Sequence, residues 1–329
     1  MTDKPRVWVS RPTFPGVIAR LEPHFQVTVE AEERKFSQSE LAARLAGQDA
    51  VIVGLKDRIG AAEIGAAERL RIVANLGVGY DNIDLDAMSA AGIAVSNTAD
   101  VLNESVADYT WALLLGAARR MSAAERWLRA GHWQATEFKA WLGTDVRGRT
   151  LGILGMGRIG QAIARRALGF GMPVIYHNRT PLPEADERGC NARHVDKQQL
   201  LRESDFLVLA LPLTTQTRHA VGTAELAQMK PTAMLINIAR GGIVDDAALA
   251  TALRERRLAG AALDVFEGEP KVHPALLALD NVVLSPHIAS ATTETRRAMA
   301  SVAVDNVLAM FGHGPQAGRP PNILNPNVL

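Results

Sequence analysis

The chain has 329 residues, 47% of them hydrophobic and 5% aromatic, too many for one ordinary core and about right for two. Lys+Arg 36 against Asp+Glu 35 leaves no basic field to recruit nucleic acid, and the single cysteine, Cys190, excludes a disulfide framework and fits a reducing compartment. No apolar run approaches the roughly 18 residues of a membrane span, and no basic n-region with an apolar h-region opens the chain, so a soluble, cytoplasmic protein is expected.

Short apolar runs alternate with amphipathic helical patterns, which predicts parallel sheets of βαβ units: an α/β fold of two doubly wound domains. The first strands are expected at 6–10, 26–30, 50–55, 71–76 and 94–97, with a helix over 38–46 placing Leu41, Ala42 and Leu45 on one face. One long helix is expected from about 104 to 130, capped by Gly131. A second strand series falls at 151–154, 173–177, 206–210, 233–238, 261–265 and 282–284. A helix over 292–310 follows, and then a Gly/Pro/Asn-rich tail expected to drape or fray.

The second series opens with Gly155-Met156-Gly157-Arg158-Ile159-Gly160, after an apolar strand and before a helical pattern. That context turns a weak GxGxxG into a dinucleotide signal. Gly155 makes the tight turn, Gly157 lets a pyrophosphate approach the backbone, and Gly160 lets the helix sit close to the sheet. The pyrophosphate then rests on the helix N-terminus. The next strand ends in Asn178-Arg179-Thr180, where an NAD site places Asp or Glu on the ribose 2′-OH. Asn178 removes that repulsion, Arg179 offers a planar cation and Thr180 a hydroxyl, so NADP(H) is expected over NAD(H), with NAD(H) use still open. The bland alternative is a surface turn.

Three later strands each deliver an ionisable residue beyond their carboxyl ends: Arg240, the Asp264-to-Glu269 stretch, and His287. Ligands of open parallel sheets bind at such ends. Each residue alone has a structural explanation, but together they suit reduction of a 2-keto acid. Arg240 can grip a carboxylate and polarise the C2 carbonyl, His287 can deliver a proton, and Glu269 can hold the imidazolium.

With Gly77-Val78-Gly79-Tyr80-Asp81-Asn82, Glu104-Ser105-Val106-Ala107-Asp108, residues 155–160, 237–241, 264–270 and 286–290, the chain resembles the D-isomer-specific 2-hydroxyacid dehydrogenases over nearly its whole length. Among them it looks most like the bacterial glyoxylate/hydroxypyruvate/2-ketogluconate reductases. The resemblance implies a catalytic Arg240, Glu269 (rather than Glu267) and His287. It implies a substrate-carboxylate loop at Leu76, Gly77, Val78 and Gly79. Asp264 would face the nicotinamide carboxamide, and Leu211, Pro212 and Thr217 would lie beside the adenosine. Ile238, Ala239, Ala289 and Ser290 would complete the cofactor contacts. It also implies a Rossmann cofactor domain, residues 103–289, inserted into a flavodoxin-like substrate domain of 1–102 and 290–329. Asn103 and Ala289 depart from the common Thr and Gly of that pattern.

No HExxH, CxxC or GxSxG is present, so neither metal nor serine-hydrolase chemistry is expected. An NAD-linked phosphoglycerate or D-lactate type of dehydrogenase and a dinucleotide-sensing corepressor remain the alternatives. A homodimer is expected, because Val106, Tyr109, Trp111 and Leu113 to Leu115 are more apolar surface than one half-buried helix needs. Trp127, Trp133 and Trp141 add interface anchors, Trp141 reaching toward the partner's substrate pocket as the resemblance implies.

Overall fold

The computed structural model describes residues 4–136 and 138–329. The chain forms two compact units, Met1–Leu102 with Ala291–Leu329, and Asn103–Ser290.

The first unit carries five parallel strands, β1 (Arg6–Val9), β2 (Gln26–Val29), β3 (Ala50–Val53), β4 (Ile72–Asn75) and β5 (Ala94–Ser96), in the flavodoxin-like order β2-β1-β3-β4-β5. Successive residues serve opposite faces. Val7, Val9, Ile52 and Ile72 pack under the helix Thr293–Met310 through Ala300, Val304 and Val307, while Trp8, Val51 and Val73 meet Leu41, Leu45 and Met88. Both faces are covered, so the strands read as continuous apolar runs. The helix Gln38–Leu45 starts at a capping box between Ser37 and Glu40. The tail does not fray: buried Asn325 accepts from Val95 N (2.8 Å) and donates to Ile93 O (2.9 Å), closing the open edge of β5.

The second unit carries seven parallel strands: β6 (Leu151–Leu154), β7 (Val174–His177), β8 (Ala192–His194), β9 (Phe206–Leu209), β10 (Met234–Asn237), β11 (Gly260–Leu263) and β12 (Val282–Leu284). Their order, β12-β11-β10-β9-β6-β7-β8, is doubly wound with its switch point between β6 and β9. Strand β8 was not expected. Its Ala-Arg-His sequence has no apolar run, and it exists as an edge paired to β7.

The long helix expected over 104–130 is two helices, Asn103–Ala118 and Met121–Arg129, separated by Arg120 in the left-handed region (φ 54°). The chain turns because the Ala118 carbonyl accepts from Thr144 N (2.8 Å). The apolar surplus of Asn103–Ala118 is spent inside the unit. Trp111 is buried, donates to Ile163 O (3.1 Å) and stacks on Phe170. Among the described residues no helix is long and apolar enough to cross a membrane.

Candidate active site

Strand β6 runs into the helix Arg158–Ala167 through the glycine loop. Gly155 has φ +102°, and a Cβ there would lie 2.6 Å from Ala210 O; a Cβ on Gly160 would strike Gly155 O. Gly157, at the helix start, is different: a Cβ on it would meet nothing within 4 Å. Two glycines are therefore required by neighbouring backbone and the third faces open space. The first helical turn leaves N–H groups without intrahelical acceptors beside that space, so the loop fits a dinucleotide pyrophosphate. Met156 is buried beneath it, Ile159 is half-buried and Arg158 is exposed.

At the end of β7, Asn178 Oδ1 accepts from Met156 N (2.7 Å), and its carbonyl meets His194 Nε2 (3.1 Å). Asn178 thus also braces the glycine loop. Arg179 and Thr180 are exposed, and Arg179 makes no hydrogen bond or ion pair among the described residues. Leu211 and Pro212 follow β9. The Thr217 hydroxyl is occupied within that loop, donating to Pro212 O (2.7 Å) and accepting from Thr214 N (2.8 Å).

The loops after β10, β11 and β12 converge. Beyond β10, Ile238 and Ala239 are buried, and buried Asn237 donates to Arg240 O (3.1 Å) while accepting from Ala239 N (3.1 Å). A Cβ on Gly241 would collide with Phe266 O, so only glycine lets the Arg240 loop press against the next one. Fully buried Asp264 accepts from Ser285 Oγ (2.6 Å), Ile288 N (2.9 Å) and Ala289 N (2.9 Å). These bonds bracket His287, whose φ of 56° costs a side-chain-bearing residue about 1–2 kcal/mol. Asp264 offsets that strain and fixes the loop bearing Ala289 and Ser290.

His287 Nδ1 lies 2.8 Å from Glu269 Oε2, and Glu269 Oε1 accepts from Phe266 N (2.9 Å). The two side chains are about a third exposed (28% and 33%). Burial pushes the Glu269 carboxyl up, but the hydrogen bond and charge of His287, the Phe266 N–H and nearby Arg240 outweigh it and hold the group below its ordinary value. Glu267 is spent elsewhere, on Arg218 (3.0 Å) and His219 (2.9 Å). With Nδ1 turned to the carboxylate, Nε2 is the nitrogen left to act as an acid.

In the first unit, the loop after β4 is tied by its carbonyls. Leu76 N donates to Val53 O (2.7 Å), and Leu55 packs where a Gly77 side chain would stand. Gly77 O accepts from Thr98 N (3.1 Å), Val78 O from Asn97 Nδ2 (2.9 Å) and Gly79 O from Asn75 Nδ2 (2.8 Å). Asn75, Asn97 and Asn237 had no expected role. The available signal was an Asn closing an apolar strand run, a buried position where an amide must find partners.

A doubly wound unit with a glycine loop at its switch point and an Arg, Glu and His beyond its strand ends defines a nicotinamide-dependent dehydrogenase class. The family model for the NAD binding domain of D-isomer specific 2-hydroxyacid dehydrogenases matches residues 111–289. The chain is 47% identical to a glyoxylate reductase of Thermococcus onnurineus, over 99% of this chain and 97% of that one. It superposes on an NADPH-dependent glyoxylate/hydroxypyruvate reductase from Sinorhizobium meliloti, solved with NADP and malonate, with TM-score 0.85 and 38% identity over 98% of this chain and 97% of that one. A glyoxylate reductase from Paecilomyes thermophila gives TM-score 0.89 and 33% identity, covering 99% of both chains. The chain belongs to the D-isomer specific 2-hydroxyacid dehydrogenases and is an enzyme of that family.

Proposed function

We propose that the protein is an NADPH-preferring reductase of small 2-keto acids (glyoxylate, hydroxypyruvate and, as a larger candidate, 2-ketogluconate), yielding D-2-hydroxy acids. The observation that carries this reading is the His287–Glu269 pair beside Arg240 at the carboxyl ends of β10 to β12. A reduced nicotinamide, when bound, supplies the hydride to C2. Arg240 forks onto the substrate carboxylate and draws density from the C2 carbonyl. His287 Nε2 gives its proton to the carbonyl oxygen, and Glu269 stabilises the imidazolium before transfer. The Val78 and Gly79 loop of the first unit is read, as the family resemblance implies, as a carboxylate-binding loop. The loop of Gly155, Met156, Gly157, Arg158, Ile159 and Gly160 holds the pyrophosphate, and Arg179 with Thr180 takes the 2′-phosphate of NADP(H). Asn178 keeps that position free of negative charge, while NAD(H) lacks the partner for Arg179.

The test is a kcat/KM panel of the three acids with NADPH and NADH side by side. Equal use of both cofactors would overturn the NADPH preference. No turnover of any of them would favour a dinucleotide-sensing binding protein instead.

We infer further that two copies pair through residues 121–142 of the second unit. Trp141 packs on Trp127 (5.4 Å) and under Arg120 (5.0 Å), whereas Trp133 is 61% and Phe138 95% exposed, beside exposed Met121, Leu128 and Leu142. Glu137 lies outside the described residues. Such a concentration of large apolar side chains on one segment suits an interface core, and in this chain the family's partner is a second copy. A monomer mass by light scattering at micromolar concentration would refute the pairing.

A further inference from the structure

We propose that His194 is a positioning residue for cofactor choice: by holding the Asn178 carbonyl it presets the turn at Arg179 and Thr180 to receive a 2′-phosphate. The proposal rests on the reading of that turn as the 2′-phosphate site.

The turn hangs between two pins. At its start, Asn178 Oδ1 accepts from Met156 N (2.7 Å) and the Asn178 carbonyl accepts from His194 Nε2 (3.1 Å). At its end, Leu182 N donates to the Tyr176 hydroxyl (2.7 Å), which in turn donates to Glu187 (2.6 Å). Between the pins, Pro181 biases Thr180 toward extended backbone. A trans peptide is planar, so with the Asn178 carbonyl turned to His194 the Arg179 N–H points the other way. That N–H meets no acceptor among the described residues, and the Arg179 and Thr180 side chains are exposed. One short turn therefore offers a backbone N–H, a guanidinium and a hydroxyl, a donor set that suits a phosphate dianion.

The imidazole is itself fixed. A carbonyl can only accept, so His194 carries a proton on Nε2. Its ring meets Tyr176 edge-on (5.2 Å, 66°) and lies nearly parallel to His177 (5.8 Å, 25°). Strand β8 sets Tyr176 opposite His194, and beyond that point Val195 N donates to Tyr176 O (2.9 Å) while His177 Nδ1 donates to Val195 O (2.9 Å). A short edge strand with no apolar run thus has a use: it carries His194 to the Asn178 carbonyl. The same bond would also fit a purely structural edge. The two roles separate on the dinucleotides, because NADP⁺ and NAD⁺ differ only in the 2′-phosphate. A turn ordered in advance spares the ordering cost of binding that phosphate and gives nothing comparable to a ribose hydroxyl. A merely structural His194 would affect both dinucleotides alike.

His194→Phe keeps a ring against Tyr176 and loses the donor. Its dissociation constant for NADP⁺, measured by calorimetry without substrate, should rise about three- to tenfold, the scale of one lost hydrogen bond, with that for NAD⁺ near the wild-type value. His194→Gln places an amide donor close to the position of Nε2 and should restore NADP⁺ binding. Tyr176→Phe releases the other pin and should shift the preference in the same direction, so it carries the test if His194→Phe does not fold. An unchanged preference for NADP⁺ over NAD⁺ in the folded variant, or an equal loss for both, overturns the proposal. Arg179→Ala tests the underlying reading separately. Its preference for NADP⁺ should fall, and an unchanged preference there overturns that reading and the proposal with it. A preference lowered in Arg179→Ala and untouched in His194→Phe overturns the proposal alone.

Discussion

At the dinucleotide edge of the second unit, Gly155 and Gly160 fit because backbone stands where their side chains would be, and Gly157 leaves space for a ligand. At the proposed catalytic corner, by contrast, nearly every group is held by charge or hydrogen bonds drawn from three separate strands. Asp264 spends both oxygens on the loop of His287, Glu269 is shared between Phe266 N and His287, and Glu267 is committed to Arg218 and His219. The edge is shaped by backbone close to two glycines, one contact made within the loop and one by Ala210 beyond β9. The corner needs long-range convergence, because a proton donor must be aimed and electrostatically supported at once. If that division holds, changes at the corner alter turnover and changes at the edge alter cofactor choice.

The largest expected effect lies at the corner. His287→Ala should lower kcat by roughly 10²–10⁴, the usual scale for losing a positioned acid. NADPH affinity, followed by fluorescence titration, should stay near that of the wild type. A collapse of NADPH binding in this variant would mean that corner and edge do not separate.

At the edge, the combined change Asn178→Asp and Arg179→Ala should erode the NADPH preference by roughly 10- to 150-fold, the range for a charge-assisted contact of about 1.5–3 kcal/mol. Asp keeps an acceptor for Met156 N, so the glycine loop should survive while the new charge repels a 2′-phosphate. NADPH-to-NADH ratios of kcat/KM in wild type and variant measure it. An unchanged ratio would return Arg179 to the status of a surface residue.

The same contrast explains what was legible in the sequence. The glycine loop, the covered strands and the helix over 293–310 follow from local pattern, since period and turn chemistry are written in neighbouring residues. The choice of Glu269 over Glu267 came only through resemblance; two residues apart in one loop, they look alike until Arg218 and His219 are seen to claim Glu267. Strand β8 escaped because an edge strand takes its order from β7, and the break at Arg120 because Thr144 captures the Ala118 carbonyl from far along the chain. The clamps by Asn75, Asn97 and Asn237 were equally hidden. An Asn that ends an apolar strand announces a buried amide, but not which carbonyl it will hold.

The smallest effect is expected from Glu269→Gln, since the pair is about a third exposed and solvent screens it. In the proposed reduction His287 Nε2 gives up a proton, and the anionic partner beside Nδ1 supports the imidazolium that holds it. Glu269 is held below its ordinary value, so it stays anionic across the neutral range and supports the imidazolium there. That support is lost only as pH falls through the lowered carboxyl value, well on the acid side. Gln keeps an acceptor for Phe266 N but carries no charge, so kcat/KM for reduction at neutral pH should fall a few-fold. kcat/KM for reduction from acid to neutral pH, for wild type and variant, decides the matter: the two should converge as pH falls through the lowered Glu269 value. Superimposable profiles would show that the carboxylate only orients the ring, and the corner would then be held by geometry just as the dinucleotide edge is.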